Sequence, residues 1–157
     1  MTRLYGRALG GQRLVDAAPH GHWRTPTMIS ALRVDGSTAD MVVESATDGD
    51  VFLVYVEKFL GPTLKAKDIV IMDNLAVHKM AAIVKAIEAT GAEVRFLPPY
   101  SPDLNPIEKM WSKIKASLRK VKARTKEALW QAIGAALKTV SALDELNWFK
   151  SCGYNQS

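Results

Sequence analysis

Hydrophobic residues in the first third of the chain run together or alternate over short stretches, a pattern that predicts β-strands. The three stretches are residues 12–15, 27–34 and 39–44. Asp35-Gly36 follows the second stretch and is typical of a hairpin turn. Asp48 then stands where a helix N-cap is expected, and the apolar residues after it recur at helical spacing until Gly61-Pro62. This part of the chain therefore predicts strands, a hairpin and one helix.

The middle of the chain predicts two parallel strands joined by a helix. Residues 68–72 are an apolar run, which predicts a short strand buried on both faces, and residues 92–97 predict a second strand. Between them, apolar residues at helical spacing predict a helix that ends before Gly91. A strand–helix–strand order of this kind predicts a parallel pair with a crossover helix.

The last third of the chain predicts helices. Three prolines in residues 98–102 interrupt regular structure, and helices are then predicted from Pro106, Thr125 and Ser141. The large apolar residues on these helices, which we expect to be buried, include Trp111, Trp130, Leu143 and Trp148. The predicted fold class is α/β with a helical C-terminal end, and the length of 157 residues predicts one domain that spans residues 1–157.

Composition and charge narrow the class of protein. The chain has 21 Lys and Arg against 16 Asp and Glu, a formal net charge of +5, and 48% hydrophobic residues, which is a globular composition. The single cysteine, Cys152, excludes an intramolecular disulfide and a cysteine-based zinc site. Because no apolar run has the length of a membrane span and residues 1–15 have no signal-peptide pattern, we expect a cytoplasmic protein. Its basic charge is suited to a nucleic-acid partner.

Two carboxylates, Asp73 and Glu108, are the strongest candidates for chemistry. Asp73 stands at the carboxyl end of a predicted parallel strand, where ligands gather, although a turn or a helix N-cap is the alternative. Glu108 stands three residues after Asn105, so its alternative is a capping box at a helix start. The 34 residues between the two candidates hold a helix, a strand and a turn, which return the chain to the same sheet edge. We expect both carboxylates to face one site, and oxygen ligands of this kind suit Mg²⁺.

Three sequence motifs resemble the catalytic core of DDE transposases. They are Met72-Asp73-Asn74, His78-Lys79 and the long string Leu97-Pro-Pro-Tyr-Ser-Pro-Asp-Leu-Asn-Pro-Ile-Glu108. The string and the spacing of 34 residues are most similar to the bacterial insertion-sequence branch of the mariner-like superfamily. This resemblance implies an RNase H-like mixed sheet flanked by helices, and an endonuclease dependent on Mg²⁺ or Mn²⁺ that nicks transposon ends and joins them to target DNA. It also implies that Asp73 and Glu108 are the second and third carboxylates of the catalytic, metal-binding triad.

Polar and basic residues around these carboxylates are candidates for binding DNA. Asn74 and His78 follow Asp73 closely and can contact a phosphate, with a turn and a first helical turn as their alternatives. Residues 109–126 contain eight basic residues and no acidic one. A solvated surface is the alternative for this segment, but beside the acidic pair we expect one helix face to follow the DNA backbone. The residues on that face are Lys109, Lys113 and Lys120.

The sequence departs from the family pattern at its start. The first catalytic Asp of the family lies on the first strand of the sheet, upstream of a segment that resembles residues 1–8, and a helix-turn-helix region precedes it. Asp16 and Asp35 do not match the motif of that first ligand. We therefore expect an N-terminally truncated catalytic domain that lacks the first strand, exposes sheet edges and is inactive or nearly so by itself.

Two hypotheses about function stay open at this point. In the first, the chain is a fragment of a transposase, from a decayed copy or from a gene whose complete enzyme needs a frameshift. In the second, it is a catalytically dead module that binds DNA or dimerises and so regulates a transposase. Both predict DNA as a partner, as transposon ends or target DNA, at the bacterial nucleoid. Both also allow contacts with a second copy or with full-length transposase.

Overall fold

The computed structural model of the protein describes residue 10, residues 26–36 and residues 38–154. The described strands are β1 (Thr27–Leu32), β2 (Thr38–Val43), β3 (Ile69–Met72) and β4 (Glu93–Phe96). The described α-helices are α1 (Gly49–Tyr55), α2 (Ala81–Glu88), α3 (Pro106–Val121), α4 (Lys126–Leu137) and α5 (Ala142–Ser151). The strand predicted at residues 12–15 lies outside the described residues. None of the described helices is long and apolar enough to cross a membrane.

The first two strands, β1 and β2, form the predicted antiparallel hairpin, in which Ile29 lies opposite Met41. The side chains of β1 alternate between its two faces, as strand geometry requires. Ile29 and Ala31 pack into a first apolar core between the hairpin, α1 and α2. Met28 and Leu32 pack against a second core that is built on α3 and α4. The hairpin therefore lies between two helical layers, and this places α3 beside β1.

The helix predicted after Asp48 forms, and it starts where expected. The Asp48 carboxylate accepts a hydrogen bond from the backbone N–H of Val51 over 2.9 Å, so Asp48 is the N-cap of α1. The predicted stop at Gly61-Pro62 is less abrupt than expected, because helical turns continue as a π-helix over Val56–Leu60 and a 3₁₀ turn over Gly61–Thr63. Pro62 fits the start of that 3₁₀ turn, where no N–H donor is needed.

The strands β3 and β4 form the predicted parallel pair, and α2 is the crossover helix between them. Gly91 follows α2 with a φ of 85°, a left-handed conformation that glycine adopts at little cost. The prediction that the first of these strands is buried on both faces is wrong. Val70 and Met72 face the first core. Ile69 and Ile71 are 47% and 39% exposed, because their face borders an open cleft.

Among the described residues, the four strands form two separate two-stranded sheets. The strands β1 and β3 make no hydrogen-bonded pair with each other, although both line the same cleft. Side chains connect the two sheets instead. Arg33, directly after β1, forms an ion pair with Asp68, directly before β3, and donates to the carbonyl of Thr63 over 3.0 Å. The end of β1 thus lies beside the start of β3.

The C-terminal helices pack together around α3. Met110 and Ile114 of α3 are buried against Ala136 of α4 and form the second core. The predicted start of α5 is confirmed, because Ser141 and Asp144 form a complete capping box there. This box fixes the direction in which α5 leaves the preceding loop and lays it against α3.

Two large apolar residues that were predicted to be buried are not. Trp130 is 41% exposed, because Ile133 and Ala136 set the inner face of α4 and Trp130 lies to one side of it. Leu143 is 67% exposed, because Glu145 takes the inward position in the first turns of α5. The two tryptophans that pack against the second core, as predicted, are Trp111 and Trp148.

Candidate functional site

Asp73 lies directly after β3, at the carboxyl end of the strand, and is partly exposed. Its Oδ1 atom accepts a hydrogen bond from the backbone N–H of Leu75 over 3.2 Å, which stabilises the turn out of the strand. The helix N-cap alternative is wrong, because the N-cap of α2 is Met80. The other carboxylate oxygen, Oδ2, makes no hydrogen bond within the described part of the chain. That oxygen is therefore open to a ligand.

The side chain of His78 lies beside this carboxylate, in a 3₁₀ turn (Val77–Lys79) that precedes α2. Its Nδ1 atom is buried and lies 2.6 Å from Asp73 Oδ1, and it has no hydrogen-bond partner within the described part of the chain. The imidazole therefore lies against the carboxylate without a hydrogen bond to it. The imidazole ring packs on the buried ring of Phe52, with the ring centroids 4.5 Å apart. Packing against α1 thus fixes the side of Asp73 on which the imidazole lies.

Glu108 lies in the first turn of α3 and is exposed. The capping-box alternative is wrong, because the Asn105 side chain makes no capping hydrogen bond. The Glu108 carboxylate makes no hydrogen bond or ion pair with any described residue. The helix start rests on the backbone, where Pro106 takes the first position and the N–H of Glu108 donates to the carbonyl of Asn105 over 3.2 Å. Both carboxylate oxygens of Glu108 are therefore available to a ligand.

One cleft is lined by Asp73, His78 and Glu108 together. Its volume is about 750 Å³, its long walls are β1 and β3, and the first turns of α3 form a third side. The 34 residues between the two carboxylates return the chain to the same cleft, because β4 runs parallel to β3 and leads into α3. Ile71 and Trp111 contribute apolar side chains to the lining. The two carboxylates therefore line the same partly apolar cleft.

The oxygen atoms of Asp73 and Glu108 suit a hard divalent cation. Carboxylate oxygens are the ligands that Mg²⁺ prefers, and Mg²⁺ commonly takes only one or two of them while it keeps several waters. No three His, Cys, Asp or Glu side chains among the described residues converge closely enough to hold a metal ion. The described donors thus suit a cation that keeps several waters, rather than one enclosed by protein ligands.

The other early acids do not complete this pair within the described residues. Asp35 lies in the turn after β1, and the ion pair between Arg33 and Asp68 places that turn at the start of β3. Asp73 lies at the opposite end of the same strand, roughly 13 Å further along at the rise of a β-strand. Asp16 lies outside the described residues. Asp35 is therefore badly placed to act as a third ligand.

The amide side chain of Asn74 is partly buried, next to Asp73. It makes no hydrogen bond with any described residue. The turn after β3 is held by Asp73 and Leu75 rather than by Asn74. The amide group of Asn74 therefore keeps its donors and its acceptor available.

The lysines predicted to share a DNA-facing side of α3 differ in their contacts. Lys109 donates from Nζ to the hydroxyl of Ser151 over 2.7 Å. Lys113 donates from Nζ to Asp144 Oδ2 over 2.6 Å and forms an ion pair with it. Lys120 is exposed and has no polar partner within the described part of the chain. Two of the three lysines therefore hold α5 against α3.

Comparison with known families supports the identity of this domain. A family model described as the DDE superfamily endonuclease matches residues 1–130, a span that includes all four described strands and both carboxylates of the cleft. No curated protein matches the sequence. A DDE endonuclease domain implies a transposase-like nuclease that acts on DNA, and the family generally uses divalent metal ions. The chain therefore belongs to the DDE superfamily of endonucleases.

Proposed function

We propose that the chain is a transposase catalytic domain of the mariner-like superfamily, in its bacterial insertion-sequence branch, and serves metal-dependent cleavage and joining of DNA strands. The observation that carries this proposal is the cleft in which Asp73 and Glu108 both present free carboxylate oxygens. The string from Leu97 to Glu108 supports the choice of branch. The family match supports the class of reaction.

The side chains of Asp73 and Glu108 would hold Mg²⁺ or Mn²⁺ through these oxygens. A divalent cation bound there supplies positive charge to the attacking and leaving oxygens of a phosphodiester. The protein itself supplies position: β3 fixes Asp73, and the first turn of α3 fixes Glu108. His78 restrains the Asp73 carboxylate from one side, and the free amide of Asn74 can donate to a phosphate oxygen.

The RNase H-like sheet that this proposal expects needs a further strand between β1 and β3. Two observations support such a strand: β1 and β3 face each other across one cleft, and in the described residues each has a strand partner on one side alone. A carboxylate on this strand, near the end of β3, would be the third ligand beside Asp73 and Glu108. We expect a domain that lacks this third carboxylate to have a very low catalytic rate, because positioning and charge stabilisation provide most of phosphoryl-transfer catalysis.

Calorimetric titration with Mn²⁺ tests the proposed metal site. We expect the wild type to bind Mn²⁺, and Asp73→Asn and Glu108→Gln each to weaken binding by roughly tenfold or more, because each removes a charged ligand. Asp103→Asn is the matched control, since Asp103 is an exposed acid near Glu108 that does not line the cleft. Equal binding by all four proteins would contradict the proposal.

A second candidate function is a catalytically inactive module that binds DNA or associates with a transposase. It is favoured by the lack of three converging ligands among the described residues and by the eight basic residues in 109–126. In that case DNA binding would depend on salt and would be the same in Asp73→Asn, Glu108→Gln and wild type, with or without Mn²⁺. The transposase proposal expects Mn²⁺ to strengthen DNA binding in the wild type and in neither variant.

A further inference from the structure

The chain reverses its direction directly after α5, through a turn at Gly153. Gly153 has a φ of 90°, a left-handed conformation that suits glycine, and its N–H donates to the carbonyl of Lys150 over 3.0 Å. The N–H of Tyr154 donates to the carbonyl of Phe149, also over 3.0 Å. These two bonds form a Schellman motif, which closes the helix. The motif holds the ring of Tyr154 edge-on against that of Phe149, with the ring centroids 5.8 Å apart.

This turn places Tyr154 against the chain segment that leads to Glu108. The phenol hydroxyl of Tyr154 donates to the backbone carbonyl of Leu104 over 3.0 Å. Leu104 ends a 3₁₀ turn (Pro102–Leu104), and α3 starts two residues later. Both Phe149 and Tyr154 line the same cleft as Glu108. The end of α5 therefore forms part of the cleft wall, next to the start of α3.

A second contact connects α5 to the chain on the other side of Glu108. Lys109, the residue directly after Glu108, donates from Nζ to the hydroxyl of Ser151 over 2.7 Å. The Ser151 hydroxyl in turn donates to the carbonyl of Trp148 over 2.8 Å, and Trp148 packs against the second core. The end of α5 therefore contacts the chain both four residues before Glu108 and one residue after it.

The start of α3 has few contacts of its own that could fix the position of Glu108. Neither Asn105 nor Ser101, the residues that precede α3 and the 3₁₀ turn, makes a side-chain capping hydrogen bond. The Glu108 carboxylate makes no hydrogen bond or ion pair with a described residue. A helix start whose N–H groups lack side-chain caps frays more readily than a capped one. The order of this segment therefore depends on the contacts that α5 provides.

We propose that Tyr154 is a positioning residue for Glu108: its hydroxyl holds Leu104, and the ordered start of α3 then keeps the Glu108 carboxylate in the cleft. This inference rests on the proposed function, because it takes Glu108 to be a metal ligand. A phenylalanine at this position would keep the ring contact with Phe149 but would lack the donor. The segment that carries Tyr154 lies beyond residues 1–130, which match the family model.

Two measurements on the full chain test this role, and neither requires catalysis. Hydrogen exchange followed by mass spectrometry reports the order of residues 103–108 without metal, and calorimetric titration reports Mn²⁺ affinity. Tyr154→Phe removes the hydroxyl alone. Gly153→Ala strains the turn through its φ without a clash, because an added Cβ meets no atom within 4 Å. The matched control is Tyr55→Phe, which removes a hydroxyl that donates to the carbonyl of Ala39 over 2.9 Å.

We expect exchange in residues 103–108 to be about fivefold faster in Tyr154→Phe and in Gly153→Ala than in the wild type, the factor that one hydrogen bond is worth. Both variants should also bind Mn²⁺ about fivefold more weakly, because a poorly held Glu108 is a poorer ligand. Tyr55→Phe should lower the Tm more than Tyr154→Phe does, and yet leave exchange in this segment and Mn²⁺ affinity unchanged. This comparison separates positioning from a general loss of stability.

Wild-type exchange in residues 103–108, or wild-type Mn²⁺ affinity, in Tyr154→Phe overturns this inference while the proposed function stands. Equal changes in Tyr55→Phe would also overturn it, because they would follow from stability rather than from the position of Glu108. If the wild type does not bind Mn²⁺ at all, the proposed metal site is contradicted, and this inference with it.

Discussion

The imidazole of His78 lies against the carboxylate of Asp73, with Nδ1 2.6 Å from Oδ1. The ring is supported from the other side by Phe52, which belongs to the first apolar core. A carboxylate held on one oxygen presents its other oxygen to the cleft in a restricted range of directions. The first core is thus connected to the candidate metal site through one histidine.

Replacement of His78 by alanine is expected to weaken Mn²⁺ binding by about tenfold, because the Asp73 carboxylate then loses its lateral restraint. Calorimetric titration measures the change. Lys79→Ala is the control, since Lys79 is the next residue in the same turn and is exposed. Wild-type Mn²⁺ affinity in His78→Ala would show that His78 does not position Asp73.

The carboxyl group of Glu145 predicts an unusual dependence of stability on pH. Glu145 is fully buried on α5, and neither of its carboxylate oxygens has a hydrogen-bond partner in the described part of the chain. Burial raises the pKa of this carboxyl, and the negative charges of Asp35 and Asp144 raise it further. Between the ordinary pKa of glutamate and this raised pKa, the folded state binds more protons than the unfolded state. The free energy of unfolding therefore falls as pH rises through that window.

The variant Glu145→Gln should remove this effect. We expect a Tm a few degrees above that of the wild type at neutral pH, and no fall in Tm from this site as pH rises from the ordinary glutamate value. Thermal unfolding followed by circular dichroism at several pH values measures both. Glu127→Gln, at an exposed position on α4, is the control. A Tm at neutral pH below that of the wild type would contradict the account of Glu145.

The ion pair between Lys113 and Asp144 predicts that stability falls as pH falls, which is the opposite of the dependence at Glu145. Hydrogen bonds from the side chains of Lys113 and Ser141 lower the pKa of Asp144 to about 2. Asp144 therefore stabilises the folded state fully when the pH is above its ordinary pKa of 3.8. This contribution to the free energy of unfolding is lost as pH falls towards 2. Asp144→Asn should therefore cost about 1 kcal/mol at neutral pH and flatten the loss of stability in acid. Urea unfolding at neutral and acid pH tests this, and an unchanged acid profile would speak against it.

The hydroxyl of Tyr55 joins α1 to the hairpin. It donates to the backbone carbonyl of Ala39 over 2.9 Å in a buried setting. Tyr55→Phe leaves that carbonyl without this donor and is expected to cost about 1–2 kcal/mol in urea unfolding. Tyr154→Phe removes a hydroxyl that donates to Leu104 over 3.0 Å at an exposed site, so its cost should be smaller. Equal losses in the two variants would contradict the importance of burial at Tyr55.

Features that depend on a few neighbouring residues could be predicted from the sequence. Asp48 caps α1, Gly91 ends the crossover segment, and Ser141 starts α5, each through contacts within about one turn of chain. The parallel pair of β3 and β4 followed from the order of elements, because a crossover helix leaves few other topologies. Local chemistry was sufficient for these parts of the fold.

Features that depend on residues far away in the sequence could not be predicted from it. The exposed face of β3 follows from the cleft beside Ile69 and Ile71, which no apolar run can indicate. Lys113 is a charged helix residue by its sequence pattern, but Asp144, 31 positions later, makes it a structural contact. The same limit applies to the packing of His78 on Phe52.

The candidate site could be predicted only in part from the sequence. Asp73 and Glu108 could be selected from their motifs and spacing, and they do line one cleft, while their role as ligands stays a prediction. The choice of DNA-facing lysines needed the position of α5, which occupies Lys109 and Lys113.

Asp73 and Glu108 are proposed to hold one metal ion together. Fe²⁺ in place of Mg²⁺, with ascorbate and peroxide, produces hydroxyl radicals that cut the polypeptide close to the bound ion, and mass spectrometry locates the cuts. We predict cuts near both residue 73 and residue 108 in the wild type, and loss of both cuts in Asp73→Asn and also in Glu108→Gln. Cuts near one residue alone, or loss of only the nearer cut in each variant, would contradict a shared site.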